Sequence, residues 1–152
     1  MSDQDIIRRD EQVGFMLYAG SRAMTKAYQP MLKALGLTYP QYLVLMVLWE
    51  WSEKQPEEPT VKALGARLHL DSGTLTPLLK RLESSGLVTR VRDSEDERRV
   101  FVEATVSGRE LESQAAQWVS TAKEALDEQD LDFPRLRQDL QALMQLLSRE
   151  ER

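Results

Sequence analysis

Apolar residues recur along this chain at spacings that change character several times, and each change marks an element. Between residues 5 and 35, Val13, Met16, Leu17, Met24, Met31, Leu32 and Leu35 alternate with charged and polar positions in the rhythm of one helix face. The helix this predicts is long for a chain of 152 residues, and a helix of that length wants a partner along its flank, which favours a dimer. Gly36 supplies its stop. Thr38-Tyr39-Pro40-Gln41 has the spacing of a capping box, with Thr38 at the N-cap, Gln41 three residues on and a proline in the tolerant first turn. The run from Tyr42 to Trp51 is apolar nearly all round, the mark of a central, fully packed helix. Met16, Met24, Met31 and Met46 are accordingly expected in the core rather than as metal ligands.

Residues 52–59, with Pro56, Pro59 and three glutamates, read as a surface loop. Thr60 is the expected cap of a short helix over residues 61–68 that turns Val61, Leu64 and Leu68 inward. His69 and Leu70 make a turn, and Asp71 or Ser72 caps the next helix, in which Leu75, Leu78, Leu79 and Leu82 form one buried stripe. Pro77 conflicts with a helix that starts so early, so either the regular helix begins near Thr76 or its first turn is distorted. Gly86 ends that helix. Residues 87–92 and 98–104 alternate like strands, with Val88, Val100, Val102 and Ala104 on one face, joined by the acidic turn 93–97. Ser107 to Glu110 repeats the capping-box spacing and predicts a helix through about residue 126, and Phe133-Pro134 opens a last one that aligns Leu136, Leu140, Leu143, Met144 and Leu147. The expected fold is mainly α with a small β-wing: a single winged helix-turn-helix domain over residues 1–152.

A winged helix-turn-helix implies DNA, and the second helix of the motif has the chemistry for it. Ser72, Thr74, Thr76, Lys80 and Arg81 are left facing outward. Small hydroxyl residues at a helix N-terminus let the backbone approach a phosphate, and the helix dipole favours negative charge there. Recognition helices of this kind enter the major groove by their first turns. The formal net charge of −5 argues the other way until its distribution is considered. Residues 60–109 hold nine lysines and arginines against seven acids, whereas the remainder holds eleven against eighteen. There is no cysteine, so disulfides and thiolate chemistry are excluded, and the lone His69 cannot build a metal site. No catalytic constellation, phosphate loop or cofactor motif is present, which sets an enzyme aside. No apolar run reaches the length of a membrane span, and the polar, acidic start is not that of a targeting segment, so a cytoplasmic protein is expected.

Five stretches carry a family resemblance: Phe15-Met16-Leu17-Tyr18-Ala19-Gly20-Ser21-Arg22; Thr38-Tyr39-Pro40-Gln41-Tyr42; Trp49-Glu50; Leu70-Asp71-Ser72-Gly73-Thr74-Leu75-Thr76-Pro77; and Asp96-Glu97-Arg98. Through them the chain resembles the MarR family of transcriptional regulators over nearly its whole length, and within it the organic hydroperoxide sensors of the OhrR type. The resemblance implies a homodimer on an inverted-repeat operator in double-stranded DNA, with residues 1–37 and 105–152 mainly for dimerisation and 60–104 for DNA binding. It implies that Asp96 holds Arg98 in the wing for a minor-groove contact, with Arg99 second. It also implies a sensor pocket at Gly14, Tyr18, Tyr28 and Tyr39, where Gly14 stands in place of the sensors' reactive cysteine. Oxidation of a thiolate therefore cannot be the switch. Three accounts of Gly14 stay open: a paralogue that has lost redox sensing, a regulator responding to a small-molecule effector, or a replaced cysteine. A DNA-independent interaction protein is the contrasting reading.

Overall fold

The order of elements is α1 (Asp3–Leu35), α2 (Tyr39–Glu53), α3 (Val61–Leu68), α4 (Ser72–Ser84), β1 (Val88–Arg92), β2 (Val100–Ala104), α5 (Val106–Ala125) and α6 (Phe133–Glu150). The computed structural model describes residues 2–125 and 130–150. The chain divides into two units, Met1–Ala115 and Ala116–Arg152.

In the first unit local chemistry sets the element ends. Ser2 and Asp5 form a capping box at the start of α1, and Gly36 closes it in the left-handed conformation, with φ of 70°. At α2 the Gln41 N–H donates to Thr38 Oγ1 at 3.3 Å and the Thr38 N–H to Gln41 Oε1 at 3.0 Å, the reciprocal box expected from the sequence. Thr60 caps α3 by accepting from the Ala63 N–H at 3.1 Å. α2 then runs through the centre: Val44, Leu45 and Leu48 are at most 1% exposed, in a core shared with Leu32, Leu64, Leu75, Leu79, Leu82 and Val88. Each such side chain contributes about 1.5–3 kcal/mol by leaving water. The Trp49 indole N–H donates to the Gly108 carbonyl at 2.8 Å, which fixes the start of α5.

Four expectations are corrected. α2 continues to Glu53, so the loop is shorter than residues 52–59. α4 is regular from Ser72, with Pro77 inside it. Pro77 and Gly73 are both exposed, so water can serve the Gly73 carbonyl that loses its helical donor. α5 begins at Val106, and its cap is Thr105 rather than Ser107: Thr105 Oγ1 accepts from the Gly108 N–H at 3.1 Å and donates to the Gly86 carbonyl at 2.6 Å. Of the four methionines expected in the core only Met31 is buried; Met16, Met24 and Met46 are 64%, 52% and 43% exposed. Val13, Phe15, Leu17 and Tyr18 are exposed as well, so the apolar stripe of α1 lies open from Val13 to Met24.

The second unit consists of the end of α5 and α6. The expected end of α5 near residue 126 lies outside the described residues. Asp132 starts α6, its carboxylate accepting from the Arg135 N–H at 3.1 Å and its carbonyl from the Leu136 N–H at 3.0 Å. Along α6 Leu136, Met144 and Leu147 are exposed, Leu140 and Leu143 half-buried. Among the described residues no single helix is long and apolar enough to cross a membrane.

Candidate nucleic-acid interface

The turn between α3 and α4 is tight because Gly65 lets the main chain close on itself. The Leu70 N–H donates to the Gly65 carbonyl at 2.9 Å, and the Leu70 carbonyl lies 2.8 Å from where a Cβ at Gly65 would stand, so any side chain there would displace the turn. His69 caps α3 with φ of 56°, a left-handed conformation uncommon outside glycine. Asp71 then starts α4, accepting from the Thr74 N–H at 2.8 Å. Hydrogen bonding by Thr74 holds the Asp71 carboxyl below the usual carboxylate range. With Leu75, Leu78, Leu79 and Leu82 turned into the core, Ser72, Thr74, Lys80 and Arg81 are exposed and Thr76 is half-buried. The outward face of α4 is thus the hydroxyl and cation face the sequence predicts.

β1 and β2 pair antiparallel, Val88 opposite Ala104, Arg90 opposite Val102 and Arg92 opposite Val100. That register puts Val88, Val102 and Ala104 in the core. Arg90 binds the end of α4: its backbone N–H, Nε and Nη2 all donate to the Glu83 carboxylate at 3.2–3.4 Å. Hydrogen bonding from Arg90 holds Glu83 below the usual carboxylate range. The acidic tip satisfies its own backbone, the Glu95 N–H donating to Asp93 Oδ1 and the Arg98 N–H to Asp96 Oδ1, each at 3.1 Å. Arg92 Nη1 donates to the Glu97 carbonyl at 2.8 Å. Arg98 Nε lies 3.2 Å from Asp96 Oδ1, with the Arg98 side chain 91% exposed. Arg99 is placed differently: its guanidinium meets Glu58 at 2.7 Å and lies over the Phe101 ring. The sequence reading missed Glu58, Glu83 and Arg90, whose partners lie on other elements.

Of the aromatic residues singled out, Tyr28 and Tyr39 come together, with ring centroids 5.4 Å apart, and are joined by Tyr42 and then Trp49. Burial, then the neighbouring Tyr28 and Tyr39, pushes the Tyr42 hydroxyl up to about 12. Gly14 and Tyr18 are not part of this cluster. Both are exposed on α1, and nothing outside its own stretch of helix would come within 4 Å of a Cβ at Gly14. A buried Gly14 beside a void, as a pocket within one chain would require, is therefore not found. Among the described residues no group of three or more metal-ligating side chains comes together.

The family described as transcriptional regulator SarA/Rot matches residues 26–114. The organic hydroperoxide resistance transcriptional regulator of Bacillus subtilis strain 168 is 44% identical over 143 residues, 94% of this chain and 94% of its own. Reduced AbfR bound to DNA has a TM-score of 0.83 at 34% identity, covering 99% of this chain and 100% of that one. The M. tuberculosis regulator MosR in complex with DNA has a TM-score of 0.73 at 28% identity, over 88% of this chain and 94% of that one.

Proposed function

Because this chain belongs to the MarR-type transcriptional regulators, together with the SarA/Rot and organic hydroperoxide regulators, we propose that it binds an inverted-repeat operator in double-stranded DNA as a homodimer and represses transcription there. Each subunit sets the exposed face of α4, from Ser72 to Arg81, into a major groove and its wing into the adjoining minor groove. Residues 60–104 do the reading. Residues 1–37 and 105–152 do the pairing, which gives the open apolar stripes of α1 and α6 something to cover them. The protein works in the cytoplasm, where it meets its operator, and it is a regulator rather than an enzyme.

The observation that carries this reading is the Asp96–Arg98 pair. An arginine with 91% of its side chain in solvent ordinarily samples many rotamers, but here a carboxylate two residues away takes its Nε and its backbone N–H at once. A guanidinium fixed at a hairpin tip suits the narrow, electronegative minor groove of A·T-rich DNA. Sites selected by the full-length protein from random duplexes supply the probe, read by fluorescence anisotropy. Arg98→Ala should lose about tenfold in affinity, mostly at A·T-rich flanks. An equal loss on every sequence would contradict the minor-groove role. For the wild type, log affinity should fall with log salt at a slope near −0.9 per phosphate contact, and a flat titration would remove DNA binding altogether.

The position of Gly14 also bears on sensing. Fourteen residues of helix separate it from Tyr28, a rise of about 21 Å. On this reading a second copy completes any pocket that joins Gly14 and Tyr18 to Tyr28 and Tyr39. With no cysteine in the chain, an effector acting there works by occupancy and not by oxidation.

A further inference from the structure

We propose that Glu58, in the acidic loop between α2 and α3, is a positioning residue for DNA binding: with Asp93 it holds Arg99 against the base of the wing and thereby aims Arg98 at the duplex. The proposal rests on the reading that the wing enters a minor groove.

Arg98 and Arg99 are adjacent, yet their side chains have opposite surroundings. That of Arg98 is 91% exposed, that of Arg99 38%. Arg99 Nη2 meets Glu58 Oε1 at 2.7 Å, its Nε lies 3.8 Å from Asp93 Oδ2, and its guanidinium carbon sits 5.4 Å from the Phe101 ring centre. That Nε is buried and has no hydrogen-bond acceptor within the described residues, so the Asp93 and Glu58 charges are what compensate it. Asp93 is itself only 18% exposed and needs a counter-charge in turn. The main chain is fastened at the same place: the Asp93 N–H donates to the Arg99 carbonyl at 2.8 Å and the Val102 N–H to the Pro59 carbonyl at 3.0 Å, while Thr60 bridges Phe101.

The consequence is geometric. Residues 96–99 form a tight turn, the Arg99 N–H donating to the Asp96 carbonyl at 3.0 Å, so drawing Arg99 toward the loop fixes the turn on which Arg98 stands, and Asp96 then fixes the Arg98 rotamer. Glu58 is 60% exposed, so its pairing with Arg99 adds little to fold stability. Its effect should appear in how the wing meets DNA.

The sign of the effect separates this role from simple electrostatics. Removing a negative charge near a polyanion tightens binding, whereas loss of a positioning residue weakens it. The test compares wild type, Glu58→Gln, Arg98→Ala and the double variant by anisotropy on the selected duplex. A second duplex carries 2,6-diaminopurine for adenine in the flanks, which adds an amino group to the minor groove alone.

Glu58→Gln should bind about threefold to tenfold more weakly and lose most of the wild type's discrimination against diaminopurine, with its melting temperature within about 2 °C of wild type. In the Arg98→Ala background it should cost nothing further. Unchanged or tighter binding with discrimination intact would overturn the proposal, as would a loss that persists when Arg98 is already absent. If Arg98→Ala itself leaves discrimination unchanged, the minor-groove reading fails and the proposal with it. If Arg98→Ala abolishes discrimination while Glu58→Gln does not, only the positioning role is lost.

Discussion

Arg98 and Arg99 show how little a residue type says without its partners. The pattern Asp96-Glu97-Arg98 is local, and its ion pair forms as the sequence suggests. Glu58 stands 41 residues from Arg99, and no spacing rule joins them. Thr105 was missed for a different reason. Both Thr105 and Ser107 are hydroxyl residues that can cap a helix, and the choice is made by strand pairing, which runs to Ala104 and leaves Thr105 at the corner. Gly14 was legible only through the family resemblance, since nothing in the spacing of α1 asks for glycine there and its cost against alanine is about 1 kcal/mol. If that position lies in a pocket between two copies, Gly14→Cys should make DNA release respond to an organic hydroperoxide, followed by anisotropy with oxidation confirmed by mass. Continued binding once the thiol is oxidised would show that more than the sulfur separates this chain from the sensors.

Among the elements, α4 depends on a few polar contacts at its two ends. Asp71 caps its start and Glu83 ties its last turn to the wing through Arg90. Asp71→Ala should lower the melting temperature by roughly 2–4 °C, measurable by circular dichroism. Both carboxyls sit below the usual range in the folded state, Asp71 through Thr74 and Glu83 through Arg90. Their contribution is therefore present above the ordinary carboxylate pKa of about 4 and is lost as pH falls through the folded values. Melting temperature should drop more steeply in wild type than in Asp71→Ala on acidification below about pH 4; parallel curves would contradict the cap's role. Helix boundaries were largely legible because their caps are short-range: Thr38 with Gln41, Thr60 with Ala63, Gly36 at a left-handed corner. The fate of the apolar stripes was not. Met31 and Met24 lie on the same helix, and periodicity marks both as facing something without saying whether that is the same chain or another.

For the whole molecule, the proposed function has an acidic protein meet a polyanion through a restricted surface. Residues 60–109 hold nine basic residues against seven acids and the remainder eleven against eighteen, so the proposed reading surface is the part of the chain with a basic surplus. On the proposed reading a second copy buries the open stripes of α1 and α6, and the paired subunits set two α4 helices for half-sites about 34–36 Å apart, one turn of B-form DNA. The most direct measurement is anisotropy on the selected inverted repeat and on the same duplex with about five base pairs inserted between its half-sites. Half a turn of insertion moves one half-site to the opposite face, and affinity should fall by at least a hundredfold, to the level of a single half-site or of random duplex. Equal affinity for the two duplexes would contradict a dimer that reads both half-sites together.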